Sequence, residues 1–296
     1  MSPFETYIAP AKHKPELWRI FATCISFFAL YALFTFGFFA GLSAVFTDAD
    51  QIGLLTGTFN TPNSMLALLA SFIGWIGALL IPLWLLHKRG LVSLLGARAS
   101  KLAVMFVIGF AGYAVFLFLL SVAQSEMPRL DPNLDRAIWL RYLLPGLLLL
   151  LIQVSAEELL FRGYLQQQIA VRFNSVALAL ILPSLLFGAG HFNLDNGLTQ
   201  GLMLVAITTL LGLMLAEITR RTGNLGAAIG IHFLNNMTGM FFVSFQDFAG
   251  GLALYQATDY IENPDLFTKD LIFQLYVFAS LTAAYFAFRF FKSRKK

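Results

Sequence analysis

Residues 142–163 read YLLPGLLLLLIQVSAEELLFRG. The leucine run belongs in a bilayer, yet it ends in two adjacent glutamates and an arginine. An ionisable side chain near the bilayer centre costs about 2.5–3.5 kcal/mol on insertion scales, so it persists there when it is paired or when it does chemistry. Glu158 and Arg162 are four residues apart, on one helical face, the spacing of an ion pair. Glu157 is turned by about 100° from Glu158 on a helix of 3.6 residues per turn. One arginine does not serve both acids, and a carboxylate is left over. The plain structural reading is a buried network bracing the helix. The functional reading is that Glu158 and Arg162 hold the backbone while Glu157 faces a wet cavity.

Working outward, the chain has 296 residues, 58% hydrophobic and 12% charged, with a mean hydropathy of +0.74. A soluble domain is about half apolar and a quarter charged, so the composition is that of a membrane protein. A spanning helix needs about 20 apolar residues. Apolar runs cover 20–46, 65–86, 102–123, 143–171, 176–191, 197–217, 224–245 and 270–290. The expected fold class is an all-α polytopic membrane protein of about eight transmembrane helices. It is expected to form a single membrane domain over 1–296, with a core at 143–240 and accessory helices and loops at 1–142 and 246–296. The first run is too long for a signal-peptide core and has no convincing cleavage site, so it is expected to be retained.

Charge sets the expected orientation. Lys12, Lys14 and Arg19 precede the first run, and Lys88, Arg89, Arg98 and Lys101 follow the second. Arg172, then Arg220 and Arg221, then RFFKSRKK at 289–296 follow the fourth, sixth and eighth. By the positive-inside rule these segments, and both termini, are cytoplasmic. The opposite side receives Asp48, Asp50, Glu126, Asp131, Asp135, Asp195 and Asp247 among others, with Arg129, Arg136, Arg141 and Lys269 its bases. A multi-pass protein of the cell (plasma or inner) membrane follows, with the bilayer as a partner and no nucleic acid expected. The single Cys24 excludes an internal disulfide and a cysteine metal cluster. Gly37/Gly41, Gly197/Gly201 and Gly226/Gly230 are spaced four apart, as in closely packed membrane helices.

Further polar residues interrupt the later runs: His191, Asn193 and Asp195, then His232 with Asn235 and Asn236. Phe187 and His191 share one helical face, as do His232 and Asn236. Small residues at 188–190 leave room about the first imidazole. Counting from the expected cytoplasmic helix ends at about 1.5 Å per residue places Glu157 roughly 22 Å deep, His191 roughly 25 Å, and His232 and Asn236 roughly 12 and 18 Å. Three helices thus bring a carboxylate, two imidazoles and a carboxamide toward one level. A carboxylate and a histidine facing one water suit general-base catalysis. A second histidine and an amide suit stabilisation of an oxyanion, so peptide hydrolysis in or beside the membrane is the matching reaction. The set Glu157, His191 and His232 equally suits a divalent metal such as zinc that activates the water. At this level a metal-dependent and a metal-free mechanism both stand.

The segments EELLFR at 157–162, FGAGH at 187–191 and HFLNN at 232–236 read as EExxxR, FxxxH and HxxxN. In this order they resemble the CPBP family of intramembrane proteases, which includes type II CAAX prenyl-protein endopeptidases and bacteriocin-processing and immunity-type members. The resemblance covers about 143–240. It implies an intramembrane endopeptidase acting on a membrane-associated peptide or protein, which in some members is lipidated. It also implies Glu157 as catalytic base, His191 as a holder of the nucleophilic water, and His232 and Asn236 as the oxyanion site. Glu158, Arg162 and Phe187 would be supporting residues. A proton-coupled transporter and a non-catalytic membrane scaffold or immunity protein are the alternatives, since acids and histidines within spans also form proton relays. Paired broken helices in two similar halves, a transporter signature, are not evident. Neither are GxSG, GxGD or HExxH motifs.

Overall fold

The computed structural model describes all residues except 44, 47–49, 51–56, 125–127, 195–196, 246–248 and 295–296, and leaves aside the side chains of 261 and 289–294. Asp48, Glu126, Asp195 and Asp247 therefore lie outside the described residues. A short α1 (Pro3–Ile8) and a 3-10 turn (Ala9–His13) precede α2 (Leu17–Leu42), α3 (Pro62–His87) and α4 (Ala99–Ala123). Next, α5 (Arg136–Glu158) runs through a π-helical stretch (Leu159–Leu165) into α6 (Gln166–Phe173). Four more follow: α7 (Val176–Ala189), α8 (Leu198–Thr222), α9 (Gly226–Met237) with a π-helical end (Thr238–Phe242), and α10 (Pro264–Arg294). Helical segments thus lie at all eight apolar runs.

The helix ends follow from local chemistry. Thr61 caps α3 through the Ser64 amide with Pro62 in the first turn, where proline's fixed φ and missing N–H do no harm. Asp135 accepts from the Ala137 and Ile138 amides at 2.8 and 3.4 Å to start α5. Asn174, at φ +48, turns the chain from α6 into α7, a conformation asparagine tolerates better than most residues. Gly223, at φ +67, ends α8.

Among the described residues, six helices are long and apolar enough to cross a membrane: Leu17–Leu42, Pro62–His87, Ala99–Ala123, Arg136–Phe173, Leu198–Thr222 and Pro264–Phe288. The chain is an integral membrane protein. The other two of the expected eight are shorter. Helix α7 has 14 residues, a rise of about 21 Å against a hydrocarbon core of about 30 Å. Helix α9 has 12 before its π turn. These two short helices carry the FxxxH and HxxxN motifs.

Helix α9 sits inside the bundle, packed on α4, α5 and α8, with Gly226, Gly230 and His232 buried. Close packing explains the glycines. A Cβ at Gly226 would press on the Leu102 carbonyl, and one at Gly230 would fall on that of Phe106. Gly109 of α4 similarly lies against the Ala227 backbone. Gly201 approaches the Asn193 carbonyl, whereas Gly197 takes φ +95 at a turn. Gly37 and Gly41 meet nothing within 4 Å, so the first glycine pair is not a packing contact among the described residues.

Two features add to the expected all-helical fold. A small sheet of order β1–β3–β2 joins the two longest loops, with β1 (Leu130–Pro132) antiparallel and β2 (Val243–Ser244) parallel to β3 (Tyr255–Ala257). The N-terminal segment docks rather than trailing. Tyr7 is 2% exposed, and its hydroxyl lies 2.9 Å from the Leu94 carbonyl and 3.0 Å from that of Arg162. Burial pushes this phenol above its usual range, so it stays protonated and donating.

Candidate active site

Glu157 and Glu158 end α5, and the π-helical stretch begins one residue later. A second π turn follows His232 and Asn236 directly. Such segments are rare and often mark functional sites. Between them the side chains meet.

Glu158 and Arg162 are both fully buried, with Glu158 Oε1 2.8 Å from Arg162 Nη1. The same oxygen accepts from His232 Nδ1 at 2.9 Å. Arg162 also donates from Nη2 to the Gly212 carbonyl at 3.2 Å. Its guanidinium lies 4.5 Å from the Phe187 ring centre and 5.9 Å from that of Phe161. Gly212 is there for this reason: a Cβ would stand 3.2 Å from Arg162 Nη2. A buried arginine at this site thus has a carboxylate, a carbonyl and two aromatic faces.

Glu157 faces elsewhere. Its Oε2 is 3.4 Å from His232 Nε2, and the side chain is 12% exposed. That oxygen is buried and makes no hydrogen bond among the described residues. His232 thus bridges the two acids. Because a carboxylate only accepts, Nδ1 carries a proton toward Glu158, and Nε2 is turned to Glu157.

Phe187, 2% exposed, links the two histidines. Its ring centre is 5.5 Å from that of His232, nearly perpendicular at 89°, and 4.7 Å from that of His191. His191 lies just past α7 and is exposed. Its Nδ1 donates to the Phe187 carbonyl at 2.8 Å, leaving Nε2 as the free nitrogen. The small residues at 188–190 divide their roles. Gly188 gives its space to Thr209 of α8, whereas Gly190 has only neighbouring carbonyls nearby.

Asn236, half-buried, donates from Nδ2 to Gln153 Oε1 at 3.1 Å. Gln153 was not singled out in the sequence, although its signal is visible: a lone amide in a leucine run, four residues before Glu157 and on the same helical face. Asn235 donates to Asn236 Oδ1 at 3.2 Å, and Tyr113 of α4 donates to Asn235 Oδ1 at 2.8 Å. Tyr113 and Gly212 also went unnoticed in the sequence, since each has its role only through a neighbouring helix. Asn193 lies past the end of α7 with its carbonyl against Gly201, and Asp195 lies outside the described residues.

Glu157 and His232 approach each other, and both imidazoles have Nδ1 fixed and Nε2 free, as metal-bound histidines do. Among the described residues, however, no three His, Cys, Asp or Glu side chains are arranged to hold an ion. His191 does not join the other two, so the donors do not fit a structural or catalytic ion, and no step below is routed through one.

The class is therefore a multi-pass helical membrane protein with an acid–imidazole–amide cluster where α5, α7 and α9 meet. Residues 139–238 match the Rce1-like family, described as type II CAAX prenyl endopeptidase Rce1-like. The CPBP resemblance of the three motifs holds over this segment, which contains all of them. The chain is also similar to the "Uncharacterized protein YyaK" of Bacillus subtilis (strain 168), 29% identical over 250 residues, covering 78% of this chain and 80% of that protein.

Proposed function

We propose that this protein is an intramembrane endopeptidase that hydrolyses a peptide bond of a membrane-associated peptide or protein, of CAAX type or related. The observation that carries the reading is Glu157: a buried carboxylate oxygen without a hydrogen bond, 3.4 Å from an imidazole, next to an acid already neutralised by arginine.

Glu157 is the general base. It takes a proton from a water held with His191 Nε2, whose lone pair is left free by the Phe187 carbonyl. The hydroxide oxygen bonds to the scissile carbonyl carbon, and the C=O π electrons move onto its oxygen. Asn236 Nδ2 donates to that oxyanion, as does His232 Nε2 when the ring is an imidazolium, because its Nδ1 proton is already committed to Glu158. Collapse breaks the C–N bond, and protonated Glu157 returns its proton to the departing amine. Glu158 and Arg162 fix the His232 ring, and Phe187 keeps both imidazoles in place. The basic helix ends would then face the cytoplasm, as the sequence suggests.

The test compares membrane peptides of cells carrying the wild-type protein with those of cells carrying Glu157→Gln, which preserves shape and removes the base. Uncleaved substrates accumulate in the variant, and His191→Ala and His232→Ala reproduce the pattern at normal protein levels. A transporter would lose flux with no change in peptides, and a scaffold would keep its phenotype. An active Glu157→Gln enzyme overturns the mechanism.

A further inference from the structure

The strongest observation left over by the mechanism is the buried amide of Gln153, together with the hydrogen-bonded row it terminates. Tyr113 O–H donates to Asn235 Oδ1, Asn235 Nδ2 to Asn236 Oδ1, and Asn236 Nδ2 to Gln153 Oε1, at 2.8, 3.2 and 3.1 Å. The row crosses α4, α9 and α5. Its direction matters, because a carboxamide is nearly symmetric in shape and opposite in chemistry at its two ends. With this polarity Asn236 turns its N–H₂ toward α5, the helix that bears Glu157. With the reverse polarity it would turn its carbonyl there, and repel an oxyanion.

We infer that Gln153 is a positioning residue of the hydrolase site, holding Asn236 so that Nδ2 faces the oxyanion; this rests on the protease reading above. Three features support it. Gln153 is 4% exposed, so burying this amide is costly unless it is bonded. It lies on the Glu157 face of α5, one turn away. Its Oε1 occupies one of the two Asn236 Nδ2 protons, which leaves the second for substrate. Tyr113, 5% exposed, holds the far end of the same row through its bond to Asn235 Oδ1.

The test is a set of substitutions chosen by hydrogen-bonding capacity at constant size. Gln153→Met fills the same space without accepting a proton. The probe is an internally quenched peptide with a farnesylated cysteine near its C-terminus, supplemented by whichever native membrane peptide accumulates with Glu157→Gln. Loss of one oxyanion donor costs about 10²–10³ in kcat, and misorientation loses part of that. Gln153→Met should therefore lower kcat about 10–100-fold with KM within about twofold, the signature of an interaction made in the transition state. The Gln153→Met loss should vanish in an Asn236→Ala background.

The inference is overturned if Gln153→Met has wild-type kcat, or if the losses with Asn236→Ala multiply. Should Gln153→Met not fold, Tyr113→Phe serves in its place, with a smaller loss in kcat that also vanishes with Asn236→Ala; a wild-type kcat there overturns the inference equally. Failure of the protease reading looks different: the wild type then cleaves neither probe, or Glu157→Gln remains active.

Discussion

Arg162→Ala isolates the ion pair from the chemistry. The substitution leaves Glu158 fully buried with the His232 ring as its remaining partner. It also strips a donor from the Gly212 carbonyl and removes the cation from the Phe187 face. Breaking a buried pair from one side costs about 3–5 kcal/mol in soluble proteins. The Gly212 carbonyl lies inside α8 and keeps its helical hydrogen bond, so its share of the loss is small. The groups share one network, so the contributions overlap and do not sum. A loss of roughly 3–5 kcal/mol corresponds to a fall in Tm on the order of 10 °C, readable by size-exclusion fluorescence of heated, detergent-solubilised protein. The double variant Glu158→Gln/Arg162→Met tests the cause. Glutamine keeps an acceptor for His232 Nδ1, methionine refills the volume, and no charge is left buried, so most of the loss should be recovered. If Arg162→Ala shifts Tm by less than about 2 °C, or if the double variant is no more stable than the single, the pair does not brace this helix as described.

Other expectations are simpler to check. Glu157→Gln should abolish cleavage while leaving the melting curve unchanged, since the Glu157 Oε2 has no hydrogen bond to lose among the described residues and glutamine keeps its shape; a large drop in Tm would make it a structural residue. Gly230→Ala puts a methyl onto the Phe106 carbonyl, so α4 and α9 must separate. Both stability, by about 1–3 kcal/mol as for other overpacked sites, and activity should fall, whereas Gly41→Ala, which meets open space, should change neither. Cleavage should persist after dialysis against a chelator, because no three donors gather among the described residues; loss that zinc restores would place an ion on Glu157 and His232.

The sequence carries the helix positions because each apolar run must satisfy its own backbone in lipid. It carries the Glu158–Arg162 contact because residues four apart on a helix are neighbours. It does not carry the two π turns, which no residue type encodes, nor the row from Tyr113 to Gln153, which exists only once three helices have packed. The two- and three-residue strands are too short to leave a pattern, and the docking of Tyr7 depends on carbonyls 87 and 155 residues away.

The depth estimate shows where sequence arithmetic fails. Counting from helix ends placed Glu157 roughly 10 Å deeper than His232, yet their side chains are 3.4 Å apart. The reference points are at fault. Asn224 is completely buried, and the Leu225 amide donates to the Leu95 carbonyl at 3.2 Å, so α9 begins inside the protein, not at the membrane surface. At the other helix, Gln166, Gln167 and Gln168 of α6 are also fully buried, so burial continues past Glu157 toward Arg172. A short inner helix that begins inside the protein brings His232 to the two acids of the long helix. That arrangement places one imidazole between an acid tied to arginine and an acid without a hydrogen bond, the division of labour that the proposed hydrolysis by Glu157 requires.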